Sequence, residues 1–332
     1  MPGVKALRRI QLGAETTAGS ISTATAIWRG LGTLEDMTVV TFPEETVGIL
    51  SGTDRAYIAS EGGKLEMEDV EATFEQLGYI LEAGIKLVHT GATDTGGSGK
   101  VYTYPLPTTA ENTIQTYTIQ GGDSMGAEVV PFGYVESFKL SGKGGEAVKV
   151  SATWMGQSVT PQAFTGSLSL VDVEEILFSN GVLFIDTTTI GTTTKSNTLM
   201  GMELDVPSGW RPIMAANGAI HFSGLKNVGP APTLKVTFEH DASSIAEKAA
   251  WKARTRRLIR LNFSGSALTS AGTFTYKTLR IDGGGKWEKF DKIAEQDGND
   301  VVTGTFRFRP TGTGAAADFL TLTVVNQVSV LP

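Results

Sequence analysis

The order of elements repeats along this chain, and that constrains its fold more than anything else in the sequence. Lys64-Leu65-Glu66-Met67-Glu68 leads into an amphipathic stretch, and Lys235-Val236-Thr237-Phe238-Glu239 leads into another. Each follows a loop opened by a proline, Pro43 or Pro207, and each is followed by alternating strands. The 332 residues therefore read as one β-rich unit made twice and fused. Length alone would allow only that two ordinary domains each bury a core. The expected boundaries are an extended arm at 1–31, a first unit at 32–165 and a second at 166–332.

With 40 glycines and only 19% charged residues, the composition is that of a turn-rich, mainly β protein. Cysteine is absent, which excludes a disulfide framework, a thiolate nucleophile and a thiolate metal site. A formal charge of −7 argues against a protein that grips nucleic acid by releasing phosphate counterions. No run approaches the roughly 18 apolar residues of a membrane span, so no membrane partner is expected. The opening MPGVKALRRIQLGAETTAG carries two arginines but no apolar signal core, and synthesis without export is the expectation.

Residues 1–31 have apolar anchors such as Ile10, Ile27 and Trp28 at low density, the pattern of an arm laid across a neighbour. The first unit predicts strands at Met37–Phe42 and Lys64–Glu68 with a loop from Pro43 to about Glu61 between them. Val70, Phe74, Leu77 and Leu81 recur at helical spacing, which predicts a helix over Val70–Ile85. Gly91–Lys100 reads as a hairpin tip, and strands follow near Thr113–Gln120, Gly133–Ser141 and Ala147–Met155. In the second of these, strict alternation puts Tyr134, Glu136, Phe138 and Leu140 on one face and Val135, Ser137, Lys139 and Ser141 on the other.

The second unit predicts strands at Met202–Val206 and Lys235–Glu239, then a helix with a capping-box signature at Ser244 and Glu247. Ile259, Leu261 and Phe263 alternate with polar residues in the strand after it. Tyr276–Asp282 then matches Tyr134–Ser141, and Val302, Gly304, Phe306 and Phe308 match Val148, Val150, Ala152 and Trp154. The second copy lacks most of an excursion at 87–112.

Catalytic motifs are weak. Gly122-Asp123-Ser124-Met125-Gly126 matches the G-x-S-x-G elbow, yet that motif needs a helix after the serine and a strand-like segment follows instead. Gly96-Gly97-Ser98-Gly99-Lys100 lacks the leading glycine and the magnesium hydroxyl of a phosphate loop, since Asp94 and Val101 hold those positions. Asp297-Gly298-Asn299-Asp300 reads as a hairpin turn and not a calcium loop, and the three scattered histidines have no zinc spacing. Neither catalytic residues, a cofactor nor a metal is expected. The one basic cluster is Lys252, Arg254, Arg256, Arg257 and Arg260. It reads equally as a solvated helix end favoured by the macrodipole and as a partner for acidic groups of a neighbouring subunit, such as Glu44, Glu45, Glu61 or Glu66.

Several segments, in order, resemble the tail tube (major tail) proteins of long, non-contractile-tailed bacteriophages. They are Arg8-Arg9-Ile10-Gln11-Leu12-Gly13-Ala14-Glu15-Thr16-Thr17-Ala18-Gly19, Phe42-Pro43-Glu44-Glu45 leading to Gly52-Thr53-Asp54-Arg55, and Ala72-Thr73-Phe74-Glu75-Gln76-Leu77. Gly133 to Gly142, continuing to Trp154-Met155-Gly156, completes the set, which covers most of 1–160. The resemblance implies a β-sandwich flanked by a helix, whose strands join those of sister subunits into one barrel around a lumen. It implies rings stacked through an extended loop and a terminal arm, a virion-tail location after synthesis in the host bacterial cytoplasm, and DNA that passes without specific binding. Implied partners are the chain itself, a tape-measure protein, and tail terminator and tip proteins.

By position, the stacking-loop candidates are Pro43, Glu44, Glu45, Val47, Ile49 and Leu50 in the first unit and Pro207, Trp210 and Ile213 in the second. The arm candidates are Arg8, Arg9, Ile10, Ile27 and Trp28, and the inter-subunit salt-bridge candidates Arg254, Arg256, Arg257 and Arg260. The usual family member has one such domain and forms hexameric rings. If both units here are tube domains, three chains make a pseudo-hexamer; if the second is a decoration, six are needed. A different virion or secretion-tube β-protein and a carbohydrate-binding sandwich are the alternatives, though the five tryptophans form no cluster in sequence.

Overall fold

The computed structural model describes residues 5–311 and 319–331. Residues 1–4 of the expected arm, and 312–318 and 332 of the expected second unit, lie outside the described residues. The chain is mainly β, built from antiparallel ladders with two α-helices among the described residues.

In the first half, β1 (Arg9–Ala14) is followed by β2 (Gly32–Asp36), β3 (Gly63–Glu71), α1 (Leu77–Gly84), β4 (Tyr117–Gly122), the long β5 (Ala127–Lys143) and β6 (Lys149–Gly156). The pairings run β2–β3–β6–β5, and the leading part of β5 turns away to pair with β4. In the second half, β7 (Leu199–Pro207), β8 (Thr233–Glu239), α2 (Ala242–Lys252), β9 (Arg257–Ala267), β10 (Tyr276–Phe290) and β11 (Asn299–Phe308) follow. Their pairings run β7–β8–β11–β10, and the leading part of β10 pairs with β9. The two halves trace one path twice.

Even the irregularities coincide. β5 has a bulge opposite β6 between Val135 and Ser137, and β10 has one opposite β11 between Trp287 and Lys289. Aligning them makes Glu136 equivalent to Glu288 and Trp154 to Phe306. Leu65 and Leu234 oppose those two aromatics and are equivalent in turn. The sequence matches of Lys64 with Lys235 and of Val148 with Val302 are therefore each two residues out, an even slip that keeps every residue on its proper face. The match of Tyr134 with Tyr276 is corrected by more, because the equivalent of Tyr134 is Lys286.

The bulge also corrects the alternation of β5. One extra residue reverses the parity, so Val135 joins Phe138 and Leu140 in the core while Tyr134 faces a separate aromatic cluster. The helix expected over Val70–Ile85 begins only at Leu77. Val70 opposes Val150 in the β3–β6 ladder, and pairing outweighs helical spacing there. In α2 the N-cap is Asp241, whose side chain accepts the Ser244 N–H at 2.9 Å while the Ser244 hydroxyl accepts the Asp241 N–H at 3.0 Å. The capping box thus lies three residues before the expected one.

The halves are repeats but not separate globules. One apolar cluster holds Leu65, Phe138 and Trp154 together with Leu204, Phe238 and Phe306. Strand Thr321–Asn326 pairs with both β10 and Lys100–Pro105, crossing the 165/166 boundary. The Gly91–Lys100 turn does form a hairpin tip, with Ala92 opposite Val101.

Candidate assembly interface

Within the chain, one junction joins the two repeats. The later part of β5 pairs with β7 in a ladder that sets Phe138 opposite Val206, Leu140 opposite Leu204 and Ser141 opposite Glu203. The sheet thereby runs unbroken through eight strands, β2–β3–β6–β5–β7–β8–β11–β10. One of its faces is buried on the core and the other is polar, as alternation requires.

A hairpin reinforces that junction. After β7 the chain forms Trp210–Ile213 paired with Gly224–Asn227, here called the second hairpin. Trp210 is 4% exposed and lies with Phe132, Tyr134 and Phe222, two of them on the first half. Its indole Nε1 donates to the Gly84 carbonyl at the end of α1 at 3.0 Å, a contact at the helix end where carbonyls lack partners. Ser208 donates its N–H and its hydroxyl to the Glu136 carbonyl at 3.0 and 2.8 Å, which satisfies the bulge, and Arg211 pairs with the Glu136 carboxylate.

Repeating that junction at the chain's outer edges needs two open strands, and both are present. No path through the ladders returns to its start, so the strand network is open among the described residues. β2, the equivalent of β7, has β3 on one side and no ladder on the other. The β5 segment at the junction, Ser137–Lys143, is equivalent to 289–295, where β10 ends at Phe290 and Ala294–Gln296 pairs with β11. Among the described residues no ladder lies on the other side, and Trp251 Nε1 donates to the Glu288 carbonyl at 2.9 Å just before it. Leu31 and Met37 flank the first edge and Ile293 lies on the second, 59, 41 and 49% exposed. A cleft of about 500 Å³, lined in part by Arg8, Arg9, Ile10, Thr33 and Leu34, borders the β2 edge.

The equivalent of the second hairpin, Val39–Thr41 paired with Tyr57–Ser60, is the first hairpin. Among the described residues its apolar side chains stay largely uncovered: Val39, Val40, Phe42, Tyr57 and Ile58 are 45 to 67% exposed. The place equivalent to the second hairpin's dock is a cleft of about 560 Å³ lined by Arg256, Lys286, Trp287, Glu288, Arg307 and Arg309. An adjoining cleft of about 400 Å³ adds Trp251, Lys252 and Arg254.

The candidate residues divide accordingly. Glu44, Val47, Ile49 and Leu50 are exposed at the tip of the first hairpin, with Pro43 and Glu45 half-buried beside them; Arg55 pairs with Glu45 and holds its carboxyl below the usual range. Pro207 ends β7 and Ile213 is 43% exposed, but Trp210 is taken by the in-chain junction and not left for stacking. The arm expectation is corrected over 9–31. β1 pairs with β4, Ile27 lies opposite Gln11, and Ile10 and Trp28 are both buried in the chain's own core, because neighbouring strands supply the apolar surface that the segment lacks. Arg8 is exposed, and Arg9 lies 4.0 Å above the Phe164 ring.

Among the basic candidates, Arg257 and Arg260 are already paired inside the chain, Arg257 Nε to Glu247 at 2.9 Å and Arg260 bidentately to Asp282 at 2.7 Å. Arg254 and Arg256 face the clefts, with Arg256 Nη1 donating to the Arg309 carbonyl at 2.9 Å. Sequence reasoning missed Lys286, Arg307 and Arg309 as members of this site. They converge only because β10 and β11 are neighbours in the sheet, and linear spacing carries no sign of it.

No protein-family model matches the chain. No curated protein matches it either. Ser124 lies in a tight turn between β4 and β5, where Asp123 N–H donates to the Gly126 carbonyl at 3.0 Å, and a strand follows it. Among the described residues no cluster of side chains could hold a metal, and no helix is long and apolar enough to cross a membrane.

Proposed function

We propose that the chain is a structural virion protein that polymerises head to tail into closed rings, which stack into a phage tail tube. The segment 289–295, from the end of β10 onward, pairs with β2 of the next copy as Ser137–Lys143 of β5 pairs with β7 inside each copy. Three chains supply six repeats, so each ring is a trimeric pseudo-hexamer. The in-chain β5–β7 junction is the observation that carries this reading, since it joins the end of one repeat to the start of another and leaves the same two edges open outside. A head-to-tail contact that rotates to closure makes a ring, and pairing also removes the open edges that would otherwise promote aggregation.

The polar face of the eight-strand sheet becomes the lumen. Glu66, Lys139, Glu203 and Lys235 lie on it, and Glu203 bridges Lys139 at 3.0 Å and Lys235 at 2.7 Å. A lining of mixed sign, neutralised by its own pairs, holds phosphate weakly and suits a conduit through which DNA moves. The tip of the first hairpin beyond its carboxylates, Val47 to Leu50, projects for contact between rings. A tape-measure protein and the tail terminator and tip proteins are the partners of such a tube, in the virion tail.

Electron microscopy of the purified protein at rising concentration tests this. Hollow filaments are expected, with end-on views of six lobes and three chains per ring by mass. A chain that stays single at high concentration sinks the proposal, and six chains per ring would sink the trimer.

A further inference from the structure

The two hairpins carry opposite charge. Residues 38–61 hold Glu44, Glu45, Asp54 and Glu61 against a single cation, Arg55, whereas residues 208–228 hold Arg211 and Lys226 and no carboxylate. The surfaces that receive them are opposite in turn. On the first half, the dock of the second hairpin offers the Glu136 carboxylate to Arg211 and the Glu111 carboxylate to the Asn227 N–H at 3.2 Å. On the second half, the equivalent place gathers Arg254, Arg256, Lys286, Arg307 and Arg309. Among the described residues that line it the one carboxylate, Glu288, is already bound by Arg307 at 3.0 Å.

We propose that the anionic first hairpin of one copy docks in the cationic cleft of the next, and that this reversal of sign fixes which hairpin meets which dock. The inference rests on the head-to-tail reading above and adds to it the feature that sets register. Without such a device the repeats would be interchangeable. A chain whose in-chain junction opened during assembly could present its second hairpin to the neighbour's second half, giving open or misclosed rings. That arrangement would bring Arg211 and Lys226 against the arginines of the cleft, and specificity of this kind is commonly achieved by repulsion in the wrong pairing. Attraction in the right pairing has an apolar component too, because Val40, Phe42 and Tyr57 would be covered as Trp210 is covered inside the chain.

Four exposed residues make the test: Glu44 and Asp54 on the hairpin, Lys286 and Arg309 on the cleft. Glu44→Lys with Asp54→Lys, and separately Lys286→Glu with Arg309→Glu, should each raise the concentration needed for ring formation at least tenfold. Circular dichroism and melting temperature should match those of the wild type. The chain with all four changes should form rings again and should not enter mixed rings with wild-type chains by native mass spectrometry. A parallel probe uses the absence of native cysteine. By equivalence with Ser141 and Glu203, Ile293→Cys should form a disulfide with Thr33→Cys of the next copy.

If that disulfide forms but the one-sided reversals assemble as the wild type does, the charge code is overturned and the head-to-tail sheet stands. If neither disulfide nor rings form, both fall. If reversing the cleft leaves assembly unchanged and instead abolishes retention of a double-stranded oligonucleotide, the cleft belongs to DNA and the proposal is overturned.

Discussion

Glu82 and Glu247 hold the same place, sixth in their helices, and both are buried in different company. Glu247 meets the Arg257 guanidinium and accepts the Trp287 indole N–H, each at 2.9 Å. Among the described residues the Glu82 carboxylate has only the Tyr117 hydroxyl at 3.0 Å and the Val88 N–H at 3.2 Å, and burial pushes it up to about 7. A raised acid binds its proton more tightly folded than unfolded. Stability therefore falls as pH rises from about 4.5 toward 7, then levels off, by about 3 kcal/mol in all for a shift of this size. Glu82→Gln should abolish that slope and make the protein more stable than wild type at pH 8, by 1 to 3 kcal/mol on the order-of-magnitude scale of such shifts, as urea unfolding at pH 5 and pH 8 would show. None of this is visible in sequence. Glu75 and Glu82 fall there inside the helix expected over Val70–Ile85 and Glu247 in the expected capping box, and their burial comes from partners elsewhere in the fold, Lys277 at 2.7 Å from Glu75 among them.

Elements were more legible than residues, because a strand's alternation is local while its ends are set by neighbours. Lys64–Glu68, Lys235–Glu239 and the strand holding Ile259, Leu261 and Phe263 are all strands as expected. The failures have physical causes: the bulges at Glu136 and Glu288, the continuation of β3 through Val70, and the folding of residues 9–31 onto their own chain. Of the candidate interface, the sequence marked both hairpins alike as loops opened by a proline, Pro43 and Pro207, and could not distinguish the first from the second. The difference is Trp210. Trp210→Ala would leave a cavity between Phe132, Tyr134 and Phe222 and free the Gly84 carbonyl, with an expected loss of about 3 to 5 kcal/mol in unfolding free energy. Limited proteolysis should find the 214–223 tip newly open to cleavage before the rest of the molecule unfolds. The same truncation at Val40, 50% exposed in the single chain, should leave unfolding unchanged within about 0.5 kcal/mol.

For the whole molecule, what separates an internal ladder from an edge is whether a missing N–H is felt by the single chain or only by the assembly. In β5, Leu140 is fully buried opposite Leu204 at the junction of the repeats, and its equivalent at the outer edge is Lys292, which is exposed. Asp291 donates its N–H inward to the Thr303 carbonyl at 2.9 Å, and Lys292 follows in a segment with no ladder of its own, between the end of β10 and the Ala294–Gln296 strand. Proline removes one donor and fixes φ, which an edge tolerates and a central strand does not. Lys292→Pro should therefore leave the melting temperature of the single chain within a few degrees of wild type and abolish rings and filaments in sedimentation and microscopy. Leu140→Pro should instead unfold the chain, since it breaks the ladder that makes two repeats one sheet. If Lys292→Pro still assembled, the copies would have to meet elsewhere than along 289–295 and β2, and the repeat inside the chain would not be a guide to the contact between chains.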